Sequence, residues 1–496
     1  MSDSLETTDH PEKLRRVAID PLTRVEGHGK VTLLLDEDNQ VKQARLHIVE
    51  FRGFEKFIQN RPYWELPVLV QRLCGICPVS HHLAAAKACD QLIGASITPT
   101  AEKIRRLMHY GQVLQSHALH FFHLSSPDLL FGFDDEVRHR NIVGVIADYP
   151  DIAKQGVMLR KFGQEVIRVT AGKRIHGTGA IPGGVNKAVS LEERRYLSTD
   201  IKQVIAWAQE AVGLIKKVYF AQEDYHRRFA GIDSHMLSLV NPQGGFELYD
   251  GNLRAKSKDD EMIFDQQSCD HYASLIQEGV KNWTYMKFPF ISRLGEEQGW
   301  YRVGPLARVN NCDFMDTPLA EEQRRIFREA ARGGLVQSTL AFHWARLIEL
   351  LYCAEAIEGL LQDDALSGDE LVNHGALQQT GIGVIEAPRG TLFHHYEINQ
   401  DGLVERANLI VSTTNNNQAM NESVRQVARE YLSGHEITEP LLNQIEVAIR
   451  AYDPCLSCAT HALGRMPLEI SLQDVDGVEL DCLQKDHDGR FHRITP

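Results

Sequence analysis

Apolar and polar positions change period several times along the chain. Residues 30–35 and 40–51 alternate and predict two strands joined by an acidic turn at 36–39. From residue 64 the period becomes helical. Segments 67–92, 98–124 and 152–171 repeat their apolar residues at three and four, and Pro99 stands where a first helical turn tolerates proline. Ser190-Leu-Glu-Glu193 has the form of a capping box, in which side chain and main chain bond each other across the first turn. It predicts a helix running to about residue 229. Residues 241–316, richer in Gly, Asn, Pro and aromatics, predict loops with short strands. Helix is predicted again over 319–361, with Gly333-Gly334 as a break. Residues 381–397 and 403–412 read as strands, 421–432 and 438–451 as helices, and 468–472 and 478–480 as strands.

The sum is a helix-dominated α+β protein. A multihelical core bundle carries small β-rich N-terminal and peripheral segments. Residues 1–63 form an N-terminal arm and small β region that belongs to one large domain with the helical core of 64–461. The last part, 462–496, has short strand-like runs. There is no internal repeat and no low-complexity linker.

Composition narrows the class. Hydrophobic residues are 43% and charged residues 24%, ordinary globular usage that excludes a disordered chain. Apolar runs break well short of the roughly 18 residues of a membrane span. A net charge of −14 offers no general attraction to nucleic acid. Arg15-Arg16 is followed by Asp20, Pro21 and Arg24, so no hydrophobic export segment follows it. The expectation is a cytoplasmic protein with reduced thiols, in which cysteines serve metals or catalysis.

Nine cysteines are present, and only two pairs are close: Cys74-Gly-Ile-Cys77 and Cys455-Leu-Ser-Cys458. A two-residue gap lets both sulfurs face one metal from a single turn. Two pairs supply four thiolates, which fits a closed zinc site or a soft-metal centre. The pairs stand near opposite ends of the chain, so closing such a site carries a large loop entropy and suggests a fold-scale centre. Titratable residues flank both pairs: His81 and His82 after the first, Asp453 and His461 around the second. A structural zinc needs none of these, whereas a reactive metal needs proton carriers. Cys89, Cys269, Cys312 and Cys353 stand alone and are expected as small buried apolar groups. No further motif has iron–sulfur spacing, so any electron relay lies on another polypeptide.

Together these residues resemble the nickel–iron hydrogenase large subunit. Its two signatures are matched by Arg72-Leu-Cys74-Gly-Ile-Cys77 with His81, and by Asp453-Pro-Cys455-Leu-Ser-Cys458-Ala-Thr-His461. Four more boxes follow in family order: Asp20 to Gly29 around Glu26 and His28, Phe51-Arg-Gly-Phe-Glu55, Ser116-His-Ala-Leu-His120-Phe-Phe-His123, and Glu386-Ala-Pro388-Arg389-Gly. The short length and the wording of the two cysteine boxes are most similar to the soluble NAD-reducing bidirectional type.

The resemblance implies a nickel ion on Cys74, Cys77, Cys455 and Cys458, with Cys77 and Cys458 bridging to an iron that carries cyanide and carbon monoxide. It implies reversible heterolysis of dihydrogen and two-electron transfer. Glu26 would relay the proton from a cysteine sulfur. Arg389, with Pro388, would cover the open face of the metals, with Asp453 as its partner. Ser412 would bond a second cyanide, and His81 a bridging thiolate. His117, His120 and His123 would be structural or proton-path groups. Glu55, a carbonyl near Asn408, and His461 would hold a magnesium ion. Ser116 departs from membrane-linked relatives, which carry an acid there.

The expected partners are a small subunit with iron–sulfur clusters, diaphorase subunits with FMN and NAD, nickel-insertion chaperones and a maturation endopeptidase that cuts between His461 and Ala462. This chain has no Gly-rich phosphate-binding fingerprint after a strand, so the nicotinamide site is expected elsewhere. NADP- or deazaflavin-linked hydrogenases share the same boxes. Two other classes are a complex I-like quinone-site subunit, which lacks the cysteine pairs, and a zinc-stabilised structural protein.

Overall fold

The structure is a computed structural model and describes residues 4–331, 333–460, 468–473, 479–485 and 490–494. Near the N-terminus three strands, β1 (Arg15–Ile19), β2 (Gly29–Leu35) and β3 (Val41–Ile48), form an antiparallel sheet in chain order. β1 is an addition to the sequence expectation. It is an exposed edge strand opening on two arginines, so its pairing rests on main-chain bonds to β2 and leaves little apolar alternation to read. Val31, Leu33, Ala44 and Leu46 of this sheet join the same apolar core as the long helices.

Those helices are α1 (Pro78–Leu92), α2 (Pro99–Leu119), α3 (Pro150–Ala171) and α4 (Ile201–Ala221). Thr98 caps α2 by accepting from Ala101 N, and Pro99 takes the first position. The segment expected as one helix over 67–92 is interrupted, because Cys77 precedes Pro78 and is pushed out of helical geometry (φ −117°, ψ 42°). The cysteine pair therefore sits in the break. The capping box at Ser190 and Glu193 is present. The helix it opens ends at Ser198, α4 then begins after Asp200, and a short helix follows at Glu223–Arg228. Thr199 marks the first break, its hydroxyl donating to the Arg195 carbonyl at 3.1 Å.

Further along, β4 (His235–Val240), β5 (Asn252–Lys256) and β6 (Met262–Gln267) pair with the short β7 (Tyr301–Arg302) in the order β7-β4-β5-β6. Helix α5 (Pro305–Asn311) leads away from β7. The helical region expected over 319–361 is a helix at Pro318–Glu329 and α6 (Ala341–Gln362), and the expected break at Gly333-Gly334, both of positive φ, falls between them. Helix α6 is mostly apolar and is buried continuously from Ala341 to Ala354. Three polar residues on it, His343, Arg346 and Glu349, lie three apart on one face.

The strand expected over 381–397 folds into a hairpin. β8 (Thr380–Ala387) and β9 (Gly390–Ile398) pair Ala387 with Gly390, so Pro388-Arg389 is its two-residue turn, and β10 (Val404–Ile410) completes the sheet. Helices α7 (Asn417–Val427) and α8 (Glu439–Ala451) precede the second cysteine pair. Strands β11 (Leu468–Gln473), β12 (Glu479–Lys485) and β13 (Phe491–Ile494) form a separate antiparallel sheet. Of the four lone cysteines expected as buried apolar groups, out of five in all with Cys482, Cys89, Cys312 and Cys353 are buried; Cys269 is half-buried, with its thiol 3.5 Å from the Gly251 carbonyl. None of the described helices is long and apolar enough to cross a membrane.

Candidate metal centre

Cys74, Cys77, Cys455 and Cys458 converge, with all four sulfurs buried and within 4.8 Å of one another. Cys74 Sγ lies 3.3 Å from Cys455 Sγ, and Cys455 Sγ 2.8 Å from Cys458 Sγ. Two different constructions achieve this. The first pair lies in the break before α1. The N–H groups of Ile76 and Cys77 both donate to Cys74 Sγ, at 3.2 and 3.3 Å. Gln112 and Gln115 of α2 both donate to the Ile76 carbonyl at 3.0 Å. The second pair follows α8, where Asp453 turns the chain in the left-handed region (φ 54°). Cys455 N donates to Thr413 Oγ1 at 3.0 Å and Leu456 N to the Glu26 carbonyl at 2.9 Å. Ser457 donates to Glu26 Oε2 through N–H (3.2 Å) and to Oε1 through its hydroxyl.

The donor set fits a soft dication. Hydrogen bonds from Cys455, Cys458 and Cys74, and then His81, hold the Cys77 thiol well below its usual range against the effect of burial. Burial pushes Cys455 and Cys458 well up. Four buried sulfurs at this spacing cannot all ionise unless a cation compensates them, and a metal supplies that charge. Glu26 stands at the edge of the cluster, with Oε2 2.9 Å from Cys455 Sγ. This places the expected proton carrier on a cysteine sulfur. His81, buried on α1, reaches Cys77 on one side and on the other lies 3.1 Å, through Nδ1, from His394 Nε2. His394 Nδ1 is 2.5 Å from the Tyr396 hydroxyl.

Arg389, at the hairpin tip, is buried. Its Nε donates to the Asp453 carbonyl at 2.5 Å and its Nη2 to Asp453 Oδ1 at 3.1 Å. Burial works against the Arg389 charge, but Asp453 and the sulfurs of Cys455, Cys77 and Cys74 outweigh it and hold the guanidinium charged. Arg389 Nη1 and Asp453 Oδ2 are buried polar atoms with no protein partner. Orphans of this kind beside a four-thiol cluster mark room for a polar ligand of the centre. Ser412 opens the short buried helix Ser412–Asn415, directly before Thr413.

His117 Nε2 is 2.9 Å from Glu349 Oε2, and burial pushes its ring down to about 4. His120 donates through Nε2 to the Arg450 carbonyl at 2.7 Å, stacks on His343, and stands 4.0 Å from Asp453 Oδ1. His123 is half-buried. Ser116 is buried, with its hydroxyl unpartnered. Glu55 is buried and accepts from Leu409 N at 2.8 Å, beside Asn408, whose side chain turns to the Tyr272 hydroxyl at 3.0 Å. The Thr460 carbonyl accepts from Arg52 N and Gly53 N, which brings the second motif to the Glu55 box. His461 and Ala462 lie outside the described residues.

Several contributors were not singled out from sequence. Thr413, Ser457, His394, Tyr396, Arg308 and Glu349 belong to no cysteine or histidine spacing rule. For Arg346 and Glu349 a signal existed: charges inside an otherwise apolar helix must find partners when buried.

A model described as HoxL-like matches residues 16–51, and one described as nickel-dependent hydrogenase matches residues 52–131 and 248–461. The chain is 48% identical to the NAD-reducing hydrogenase HoxS subunit beta of Cupriavidus necator, over 94% of this chain and 99% of that protein. It is 42% identical to an F420-non-reducing hydrogenase chain of Methanothermobacter thermautotrophicus, over 90% of this chain and 95% of that one. Its structure is similar to a crystal structure of an NAD+-reducing [NiFe]-hydrogenase in the H2-reduced state, with TM-score 0.89, 56% identity, and 90% of this chain and 99% of that chain covered. The Ni-Fe-Se hydrogenase of D. vulgaris Hildenborough, at 24% identity and TM-score 0.72 over 90% of this chain and all of that one, shares the fold. On these matches and this geometry, the chain belongs to the nickel-dependent hydrogenase family.

Proposed function

We propose that this chain is the catalytic subunit of a cytoplasmic [NiFe] hydrogenase that splits dihydrogen reversibly and delivers the two electrons to NAD through partner subunits. The observation that carries the reading is the four-thiol cluster, with a carboxylate on one sulfur and an orphaned guanidinium nitrogen beside it. When bound, a nickel–iron pair with cyanide and carbon monoxide on the iron supplies the two-electron site for breaking the H–H bond.

Cys74, Cys77, Cys455 and Cys458 would hold it through their sulfurs. Glu26 Oε2, at hydrogen-bond distance, takes the proton from Cys455 Sγ and returns it in the reverse reaction. Its second oxygen is fixed by the Ser457 hydroxyl, so the carboxylate is oriented before the proton arrives. Arg389 would offer its free N–H to a cyanide nitrogen of that group, with Pro388 restricting the turn. Ser412 would bond the second cyanide. His81 donates to the Cys77 sulfur and tempers the electron density there.

Glu55, a main-chain carbonyl near Asn408, and His461 would hold a magnesium ion. Oxygen ligands suit that hard cation. Residues 1–461 would act as one domain after an endopeptidase cuts between His461 and Ala462. Two observations support this. The Thr460 carbonyl is already anchored to Arg52 and Gly53, and among the described residues strands β11–β13 pair only with each other. Nickel-insertion chaperones would act before the cut. A small subunit with iron–sulfur clusters, and diaphorase subunits with FMN and NAD, would receive the electrons, in line with the NAD-reducing relatives.

The test uses the purified assembly. Nickel and iron near one each per chain, infrared bands of iron-bound cyanide and carbon monoxide, a catalytic chain ending at His461 by intact mass, and hydrogen-dependent NAD reduction are expected. Zinc alone would overturn the centre, and reduction of NADP but not NAD would overturn the acceptor.

A further inference from the structure

The hairpin tip that carries Arg389 is held from beneath by a second arginine. Arg308, on α5, is fully buried, and all five of its N–H donors are used. Nε donates to Glu349 Oε1 at 2.6 Å. One Nη2 hydrogen goes to Glu349 Oε2 at 2.6 Å and the other to the Pro388 carbonyl at 3.2 Å. Nη1 donates to Glu386 Oε2 and to the Ala387 carbonyl, both at 2.8 Å. The main-chain carbonyls immediately before Arg389 therefore both end on Arg308.

The flanking groups are pinned as well. Glu386 Oε1 accepts from Leu239 N at 2.9 Å and from the Thr391 hydroxyl at 2.7 Å. The Glu386 carbonyl accepts from His109 Nε2 at 2.9 Å. On the far side His117 closes onto Glu349. The approach of α5 to the turn needs Gly304, since a Cβ there would lie 2.8 Å from the Arg389 carbonyl.

We infer that Arg308 is a positioning residue: by gripping the Ala387 and Pro388 carbonyls it sets where the Arg389 guanidinium stands over the thiol cluster. Fold support alone does not require this donor pattern. A buried pair needs only charge balance, and Glu349 supplies that in two short bonds. Of the three remaining donors one goes to Glu386 and two to the peptide groups that aim Arg389. A lysine keeps the charge but has three donors on a point, so it cannot hold two carboxylates and two carbonyls in one plane. Because Asp453 fixes only the outer end of Arg389, a shift of the turn would swing the orphaned Nη1 relative to the sulfurs. A misplacement of about 1 Å costs on the order of 100-fold in rate.

This rests on the nickel–iron reading, and the experiment separates the two. Arg308→Lys, Arg389→Lys and the double variant are compared with wild type for nickel and iron content, infrared cyanide bands and hydrogen uptake. Arg308→Lys is expected to keep wild-type metal content, to shift the cyanide bands, and to lower kcat about 10- to 100-fold with little change in KM. The double variant should be no slower than Arg389→Lys alone, because Arg308 acts through Arg389. Unmoved bands and kcat in metal-loaded Arg308→Lys, or additive losses in the double variant, overturn the inference. If Arg308→Lys does not assemble, the isosteric Glu349→Gln decides: a smaller band shift in the same direction supports the role, and none overturns it. Absence of cyanide bands in wild type would instead fell the nickel–iron reading itself.

Discussion

The two cysteine pairs share a spacing and little else. The first is made locally. Pro78 forces the break, the peptide groups of the motif turn back on Cys74 Sγ, and Gly75 remains exposed. At its rim Arg72 donates to His176 Nδ1 at 2.7 Å, and His176 Nε2 bonds the Cys74 carbonyl at 3.3 Å. The second is made at long range. Every residue from Ala451 to Thr460 is buried, and the clamps come from Glu26, Thr413 and Arg389, none of them its neighbours in sequence. The difference teaches that the first pair's turn onto Cys74 Sγ is made within its own segment, with Gln112, Gln115 and His176 bracing its carbonyls from outside. The second pair reaches its place only when distant parts of the fold have closed on it. This ordering is what the proposed cut after His461 would need.

The strongest way to break this comparison is to remove a sulfur from the long-range pair. Cys458→Ser is expected to lower nickel and iron content at least about tenfold, since a metal that ties two ends of the fold contributes its binding energy to that closure. Elemental analysis of the purified assembly checks it. Wild-type metal content in this variant would sink the four-thiol centre.

Next in size is Glu26→Gln. Glutamine can still accept from Ser457 but cannot carry the proton of Cys455. Turnover should fall by about 10²- to 10⁴-fold at unchanged metal content, the range for losing a positioned acid–base group. Hydrogen uptake, normalised to nickel, measures it. A loss below threefold would mean the proton leaves by another group.

The same contrast explains what could be seen in the sequence. The four cysteines were legible from their spacing, and Glu26, Arg389 and Asp453 because each lies in a short contiguous box that resembles the family's. The structure brings them together. The fold class was legible too, since helical periods dominate and α6 announces itself as a buried helix. Arg308 was not legible: its partners Glu349 and Glu386 lie 41 and 78 residues away, and nothing local distinguishes it from a surface arginine. Thr413 was hidden likewise, its role being one hydroxyl offered to a main-chain N–H 42 residues on. Breaks in the main chain were the other blind spot. The apolar period runs on through 190–229, and only the cap-prone Thr199-Asp200 hints that the helix stops. β1 escaped because an edge strand with exposed arginines needs no apolar alternation.

The finest test compares two glycines, one at each pair. Gly27 has φ 82°, and a Cβ there would lie 2.5 Å from Ser457 N, main chain that is itself bonded to Glu26. The strain and the collision fall on the clamp of the second pair. Gly27→Ala should therefore cost about 1–3 kcal/mol, the range for a residue held where its backbone is disfavoured. Gly75 stands between Cys74 and Cys77, yet a Cβ there would meet no atom within 4 Å. Gly75→Ala should change stability by no more than about 0.5 kcal/mol, as for an ordinary surface substitution. Denaturant unfolding of the two variants side by side reads both numbers. If Gly75→Ala proves as costly as Gly27→Ala, the first pair is no more self-sufficient than the second, and the contrast between a local and a long-range construction fails.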